Sequence, residues 1–502
     1  MQKLSRSEIR NKIYGCFLGK NIGGTLGMPF EGTTETNDVT FYTQKLSGVP
    51  VPNDDLDLQL VWLALADFYG LEHLTSRHFG EMWIDAIIGP WGEYSHAHWN
   101  CMAGFMPPLS GACDNDAWKL SNGAWIRSEI WACLFAGRPD KALHYAWMDA
   151  SADHVTEGIY AELFTTSLEA AAFYESNVET LVRIACGNVP KDSRIRKVVE
   201  LVLDGFKAGK DWKQVRDEAV ASTADMGWFQ APCNVAFVVI GLLFGDGDFG
   251  KTICTAVNCG DDTDCTGATA GSVMGIILGA DAIPKKWLDP IGDSIASCSF
   301  NRFSIPVDVP KTVTELTDRI MAIRDMQCIR DPAFDIPQES FTDTTATEAI
   351  WARSSYELRF NLLFAELGID YLQGPYLTPG QPCPLRLTIR DGIAGAQNLR
   401  FHWVLPEGWS SSNGTDYVLG NRNYCTSAFE CDIIPPETLN GAMSYLTLEV
   451  RTDVRQAPAL VSVPFRRKGA YTFVKAVADT STAAYDKLKA VSRRVNSFKQ
   501  NQ

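Results

Sequence analysis

Two acidic clusters carry the residue types most able to do chemistry. The first is Asn53, Asp54, Asp55 and Asp57 in "NDDLD", directly before an amphipathic helical pattern. The second is Asp261, Asp262 and Asp264 in "CGDDTDC", at the start of the nearly uncharged stretch 259–280. A single aspartate before a helix is ordinarily an N-cap, because exposed N–H groups and the helix dipole stabilise an anion there. Asp262 and Asp264, two positions apart, can converge on one point only at a helix entrance. Crowded carboxylates repel one another unless a cation lies between them, and an oxygen-only ligand set suits Mg²⁺, Mn²⁺ or Ca²⁺. No His or Cys accompanies them at zinc spacing.

The element that must carry the second cluster has an unusual face. Gly267, Gly271, Gly275 and Gly279 recur every fourth residue, so one side of that helix has no side chains. Each helical glycine costs about 1 kcal/mol relative to alanine. The stripe would let another helix approach closely and bring a second helix start beside the first.

Residues 1 to about 335 repeat apolar positions at three- and four-residue spacing and stop at Gly or Pro, as in "LDLQLVWLALADFYGLEHL" and "AELFTTSLEAAAFYES". This predicts an all-α bundle over 1–335. Residues 336–369 are expected to be a connector, with "EAIWARSSYELRFNLLFAELG" helical. From 370 to 475, alternating runs such as "PLRLTIRDG" and "SYLTLEVRTD", split by Pro, Gly and Asn, predict an antiparallel, Ig-like β-sandwich. Residues 476–502 read as a surface helix. The segment "GPWGEYSHAHWNCMAGFMPPLSGACDNDAW" reads as an irregular loop covering the substrate.

At 502 residues the chain is long enough for two or three domains, and its 46% hydrophobic and 21% charged residues are those of a globular protein. A net charge of −15 argues against broad binding to nucleic acid or an anionic membrane surface. The N-terminus lacks a signal peptide's apolar core, no run is long enough for a membrane span, and the 14 scattered cysteines read as reduced thiols, so a cytoplasmic location is expected. There is no Walker loop, no GxGxxG after a strand, and no evident Ser-His-Asp or Cys-His arrangement.

The motif G-D-D-T-D-C-T-G-A-T-A-G at 260–271 resembles the Gly-Asp-Thr-Asp-Thr/Ser signature of the ADP-ribosylglycohydrolase family. "NDDLDLQLVWL" is similar to that family's Thr/Ser-Asp-Asp motif, and "IYGCFLGKNIGGTLGMPFEG" to its opening glycine-rich helix and Glu-bearing loop. "SNGAWIRSEIW" and "DASADHVTEGIYAELFTTSLEAAAF" resemble two further family segments, and the likeness runs over roughly residues 8 to 300. It implies an all-helical hydrolase that holds two divalent ions, Mg²⁺ or Mn²⁺, and cleaves an N- or O-glycosidic bond of ADP-ribose.

By the same resemblance Asp54, Asp55, Asp262 and Asp264 would be metal ligands, and Asn53 and Cys265 stand where the family has hydroxyl residues. Asn53 could still offer a carbonyl oxygen. Cys265 is a poor ligand for Mg²⁺, so the number of ions is two or one. Gly24 replaces an acidic residue common in the family. Glu31, Asp55 or Asp262 would transfer the proton, while Ser121, Asn122, Gly123 and His154 would contact the substrate. Asp261 would have a supporting or capping role. Two other readings use the same scaffold: a glycosidase or nucleosidase acting on another glycoside, and a non-catalytic ligand-binding relative. The sandwich, outside the resemblance, would suit binding of protein or carbohydrate.

Overall fold

The computed structural model describes residues 2–88, 92–390, 397–421, 425–453 and 455–470. The expected C-terminal helix over 476–502 lies outside the described residues. By spatial clustering the chain forms two units.

The first unit comprises Met1–Gly374, Leu385–Ala396 and Gly420–Glu430. It opens with a capping box: the Ser5 hydroxyl accepts the Glu8 N–H, and the Glu8 carboxylate accepts the Ser5 N–H at 2.7 Å. The helix that follows, Arg6–Gly27, packs antiparallel against the Thr263–Leu278 helix. Gly15 faces Gly275, Gly19 faces Gly271, and Gly23 faces Gly267; a Cβ on any of the six would overlap the opposing backbone. Gly27 sits against Thr263 in the same way, and the Thr263 hydroxyl donates to the Gly27 carbonyl at 2.8 Å. The glycine stripe therefore does what its spacing predicts. It seats two backbones against each other and sets the end of one helix beside the start of the other.

Residues 263–276 of the second helix are all buried, which accounts for the missing charge along it. Around this pair stand the Thr156–Ala172, Ala231–Phe244, Phe249–Asn258 and Val313–Arg330 helices. Among the described residues no helix is long and apolar enough to cross a membrane.

The connector departs from its expected form. Its helix covers only Thr345–Trp351, and strands follow at Glu357–Asn361 and Glu366–Tyr371. Three- and four-residue spacing of apolar residues in this stretch is compatible with a helix. The deciding factor is a distant partner: Leu367, Ile369 and Tyr371 alternate onto a buried face and pair with the Cys383–Arg390 strand. Leu363, with φ 68°, makes the turn between the first two strands. β structure thus begins at 357, ahead of 370. These strands join Cys383–Arg390 and Ser427–Ile433 in a four-stranded sheet.

The second unit, Pro375–Pro384, Gln397–Leu419 and Cys431–Gln502, carries a five-stranded sheet. Its order is Tyr376–Leu377, Arg455–Arg467, Met443–Thr452, Gln397–Val404, Asp416–Asn421. Leu399, Phe401 and Trp403 alternate into its core with Leu446, Leu448 and Val450 from the neighbouring strand. The C-terminal region is antiparallel-rich, as its alternating pattern predicts; the pairing of Tyr376–Leu377 with Arg466 and Arg467 is parallel.

The stretch expected to be an irregular covering loop is largely ordered as helix over Gly92–Met102, with a further turn at Leu109–Ala112. Its glycines and prolines flank the helix and leave 93–102 free of both, while Tyr94, Ala97 and Cys101 share a buried face.

Candidate functional site

Both acidic clusters lie at helix entrances, and the entrances converge. Asn53 is the N-cap of the Asp54–Tyr69 helix: its side-chain carbonyl accepts the Asp55 N–H at 2.7 Å, and its amide donates to Asp264 at 3.1 Å. The Asn53 carbonyl expected as a ligand is thus engaged as a cap. Gly24 makes room for this amide, since a Cβ there would lie 2.9 Å from Asn53 Nδ2.

Asp262 occupies the cap position of the Thr263–Leu278 helix without capping it. One of its oxygens instead accepts the Asn122 amide at 2.7 Å. Asp54 accepts the Tyr94 hydroxyl at 2.7 Å, and Asp55 accepts the Cys265 thiol at 3.4 Å. Asp57 stands apart, holding the backbone N–H groups of Cys298 and Ser299 at 2.6 and 2.7 Å.

Asp261 is a brace. Its backbone lies in the left-handed region (φ 63°), and its carboxylate accepts the Phe229 N–H and the Asn234 amide. Its own N–H and carbonyl pair with Thr33 and Gly32 at 2.6 and 2.8 Å, which ties the Glu31 loop to the aspartate loop.

Two groups of side chains result. Glu31, Asp262 and Asp264 each offer a carboxylate oxygen, all within 4.8 Å of one another; Asp55, Asp264 and Cys265 form a second group by the same measure. Asp55 Oδ2 and Asp264 Oδ1 are buried without a hydrogen-bond partner.

The electrostatics carry the same signature. Burial and then the neighbouring charges of Asp264 and Asp54 push the Glu31 carboxyl up to about 7, although the residue as a whole is partly open to solvent. Burial and then Asp264 raise Asp54 to about 7 against the opposing Tyr94 hydrogen bond. Burial raises Asp55 and Asp262 well above the ordinary carboxylate range, and mutual repulsion adds to it. These acids gain from a shared cation, and their oxygen donors fit a hard divalent ion.

Beneath the cluster lies a cation that sequence reading missed. Lys20 is buried; its ammonium donates to Glu129 at 2.8 Å and to the Ile126 carbonyl at 2.7 Å, and lies 3.8 Å from Asp55. Glu129 also accepts Gln59 at 2.7 Å and Ser272 at 3.0 Å.

Ser121, Asn122, Gly123 and His154 meet in a second network. The Ser121 hydroxyl donates to Glu93 at 2.5 Å and lies 3.0 Å from His154 Nε2. His154 Nδ1 lies 2.8 Å from Asp153, which pairs with Arg127 at 2.7 Å. Ser121, His154 and Asp153 are neighbours, but His154 Nδ1 makes no hydrogen bond, so no Ser-His-Asp relay forms, as the sequence suggests. All three are also buried, and the short bond to Glu93 directs the serine proton away from the imidazole, so this is no hydrolytic triad. Gly123 has no room for a side chain: a Cβ would lie 2.5 Å from Glu93 and 3.1 Å from His154. Asn122 links the networks, because it donates to Asp262 while accepting the Trp125 indole at 3.1 Å.

Glu93 and Tyr94 were also missed. Their positions relative to Ser121 and Asp54 depend on contacts 28 and 40 residues away, which local spacing does not reveal.

The ADP-ribosylglycohydrolase family profile matches residues 5–330. A solved structure described as an "ADP-ribosylglycohydrolase-related protein complex" is similar to 64% of this chain and 99% of its own, at 21% identity and TM-score 0.46. No curated protein matches. Since the profile spans the opening glycine helix, both aspartate clusters and the Ser121–His154 network, the chain belongs to the ADP-ribosylglycohydrolase family, a family of hydrolases.

Proposed function

We propose that the protein is a divalent-metal-dependent glycoside hydrolase cleaving the N- or O-glycosidic bond of an ADP-ribosyl substrate. The observation that carries this reading is the convergence of Glu31, Asp262 and Asp264 within 4.8 Å, with Asp264 Oδ1 buried and unpartnered. Mg²⁺ or Mn²⁺ fits these donors, with Asp54 and Asp55 alongside; when bound, such an ion supplies Lewis acidity and lowers the pKa of a coordinated water.

The protein's own residues account for the rest. Breaking a bond at the anomeric carbon builds positive charge on the sugar, and the crowded carboxylates stabilise that charge. Glu31 is the proton-transfer group: of the clustered acids it is the one most open to solvent, beside Asp262 and Asp264. Asp55 and Asp262 are too deeply buried to take that role as readily. The Asn122 amide holds Asp262 in orientation, and Gly123 keeps the wall beside Glu93 and His154 free of bulk. Residues 1–335 form the catalytic region and the β-rich region an accessory one. The cysteines, none in a disulfide, fit a reducing cytoplasm.

The test is release of free ADP-ribose from ADP-ribosylated arginine and serine peptides, with Mn²⁺, Mg²⁺ or chelator, beside simple nucleosides and glycosides. Metal-dependent ADP-ribose release is expected. Turnover of the glycosides alone would move the substrate to another ribosyl or carbohydrate class, and no turnover of any would leave a ligand-binding relative.

A further inference from the structure

We infer that the site takes one hard divalent ion, at Glu31, Asp262 and Asp264, and that Lys20 occupies electrostatically the place a second would need. The inference rests on the metal-dependent reading above. The two ligand groups share Asp264 but differ in what surrounds their remaining members. Around Glu31 and Asp262 no cationic side chain pairs with either carboxylate among the described residues: Asp262 is held by a neutral amide, and Asp264 keeps one buried oxygen unpartnered.

Around Asp55 the positive ends are already in place. Oδ1 accepts the Cys265 thiol at 3.4 Å, and Oδ2, although it has no hydrogen-bond partner, faces the Lys20 ammonium at 3.8 Å. A divalent ion bound to Asp55 would stand beside that ammonium, with twice the repulsion of a unit pair in a site with little water to screen it. Lys20 cannot withdraw, because the Ile126 carbonyl and Glu129 hold it, and Gln59 and Ser272 hold Glu129 in turn. Removing it would leave Glu129 as an uncompensated buried charge. The third donor of this group is also unsuited to a hard ion, since thiol sulfur is soft. Lys20 and Cys265 act together: one sets a positive charge beside Asp55, and the other withholds an oxygen ligand.

Titration of the full-length protein with Mn²⁺, reading free ion by electron paramagnetic resonance and bound ion by equilibrium dialysis, tests this without any assay of activity. One Mn²⁺ per chain is expected, with no exchange-coupled signal from a metal pair. Asp262→Asn should abolish binding, while Asp55→Asn, which leaves the three ligands in place, should weaken it and keep the stoichiometry at one, circular dichroism confirming that both are folded. Two ions per chain, a coupled signal, or loss of binding in Asp55→Asn equal to that in Asp262→Asn would overturn the single-ion inference and leave the metal-dependent hydrolase standing. Failure of the folded wild-type protein to bind any Mn²⁺ or Mg²⁺ would overturn both.

Discussion

Gly19 and Gly271 face each other backbone to backbone: a Cβ built on either would overlap the carbonyl oxygen of the other. The same relation holds one turn away in each direction, and through it the Glu31 loop reaches Asp262 and Asp264. The contact reconciles glycine's cost in a helix with its use here.

Gly271→Ala is expected to destabilise the protein by about 2–3 kcal/mol or more, although alanine is the better helix former by about 1 kcal/mol. Gly187→Ala is the matched control. It too lies in a helix, but its nearest neighbour would be Thr344 Cγ2 at 3.5 Å, an ordinary contact, so it should be neutral or mildly stabilising. Urea melts of the two variants check this; equal effects would remove the helix contact as the reason for the glycines.

Stability should depend on pH and metal together. Glu31 and Asp54 have folded pKa values raised to about 7, above their ordinary 4.5 and 3.8. Their contribution is therefore full below the unfolded values and is lost as pH rises through about 7. A divalent ion removes the cause of that loss. The rise in Tm on adding Mn²⁺ should be several degrees larger near pH 7.5 than near pH 5.5, where protons compete with the ion. Differential scanning calorimetry at the two pH values gives the answer, and a shift independent of pH would contradict it.

Arg127 holds Asp149 and Asp153 in the interior, each at 2.7 Å. Against the cost of burial, Arg127 and His154 bring Asp153 down to about 2, so its contribution is present above the ordinary 3.8 and is lost only as pH falls through about 2. Arg127→Met should cost roughly 3–5 kcal/mol at neutral pH by leaving buried charge unpaired. The penalty should shrink near pH 5, as the freed carboxyl groups take up protons in the folded state. Denaturation at the two pH values decides this; a constant penalty would mean that packing, not charge, is what Arg127 supplies.

Gly123→Ala forces a methyl group against Glu93 and His154. Activity, as kcat/KM, should fall by roughly a hundredfold, since small displacements of positioned groups are costly. The fold should survive by circular dichroism.

Leu363 turns with φ 68° and is 78% exposed, so little packing compensates its strained backbone. Leu363→Gly should stabilise the protein by up to about 1 kcal/mol in thermal melts.

The aspartate clusters and the glycine stripe were legible because their meaning is local: spacing places them at helix entrances and on one face. The helix class of 1–335 was legible for the same reason. Lys20, Glu93 and Asp153 were not, since each gains its role from partners 26 to 109 residues away. A lysine inside a glycine-rich helix looks like surface until Glu129 and Asp55 surround it. The strands at 357–371 are not legible locally, because a short apolar run fits either period and only pairing with the distant Cys383–Arg390 strand decides between them.

The glycine crossing also has a consequence for biosynthesis. The hydroxyl of Thr263 that meets Gly27 lies 236 residues further along the chain. At ordinary translation rates that interval lasts about ten to fifty seconds. During it the opening helix, weakened by its own glycines, has left the ribosome without the surface that makes those glycines useful. The contact between the two helices thus forms only after the intervening chain is made, and the earlier helix must be kept from other partners until then.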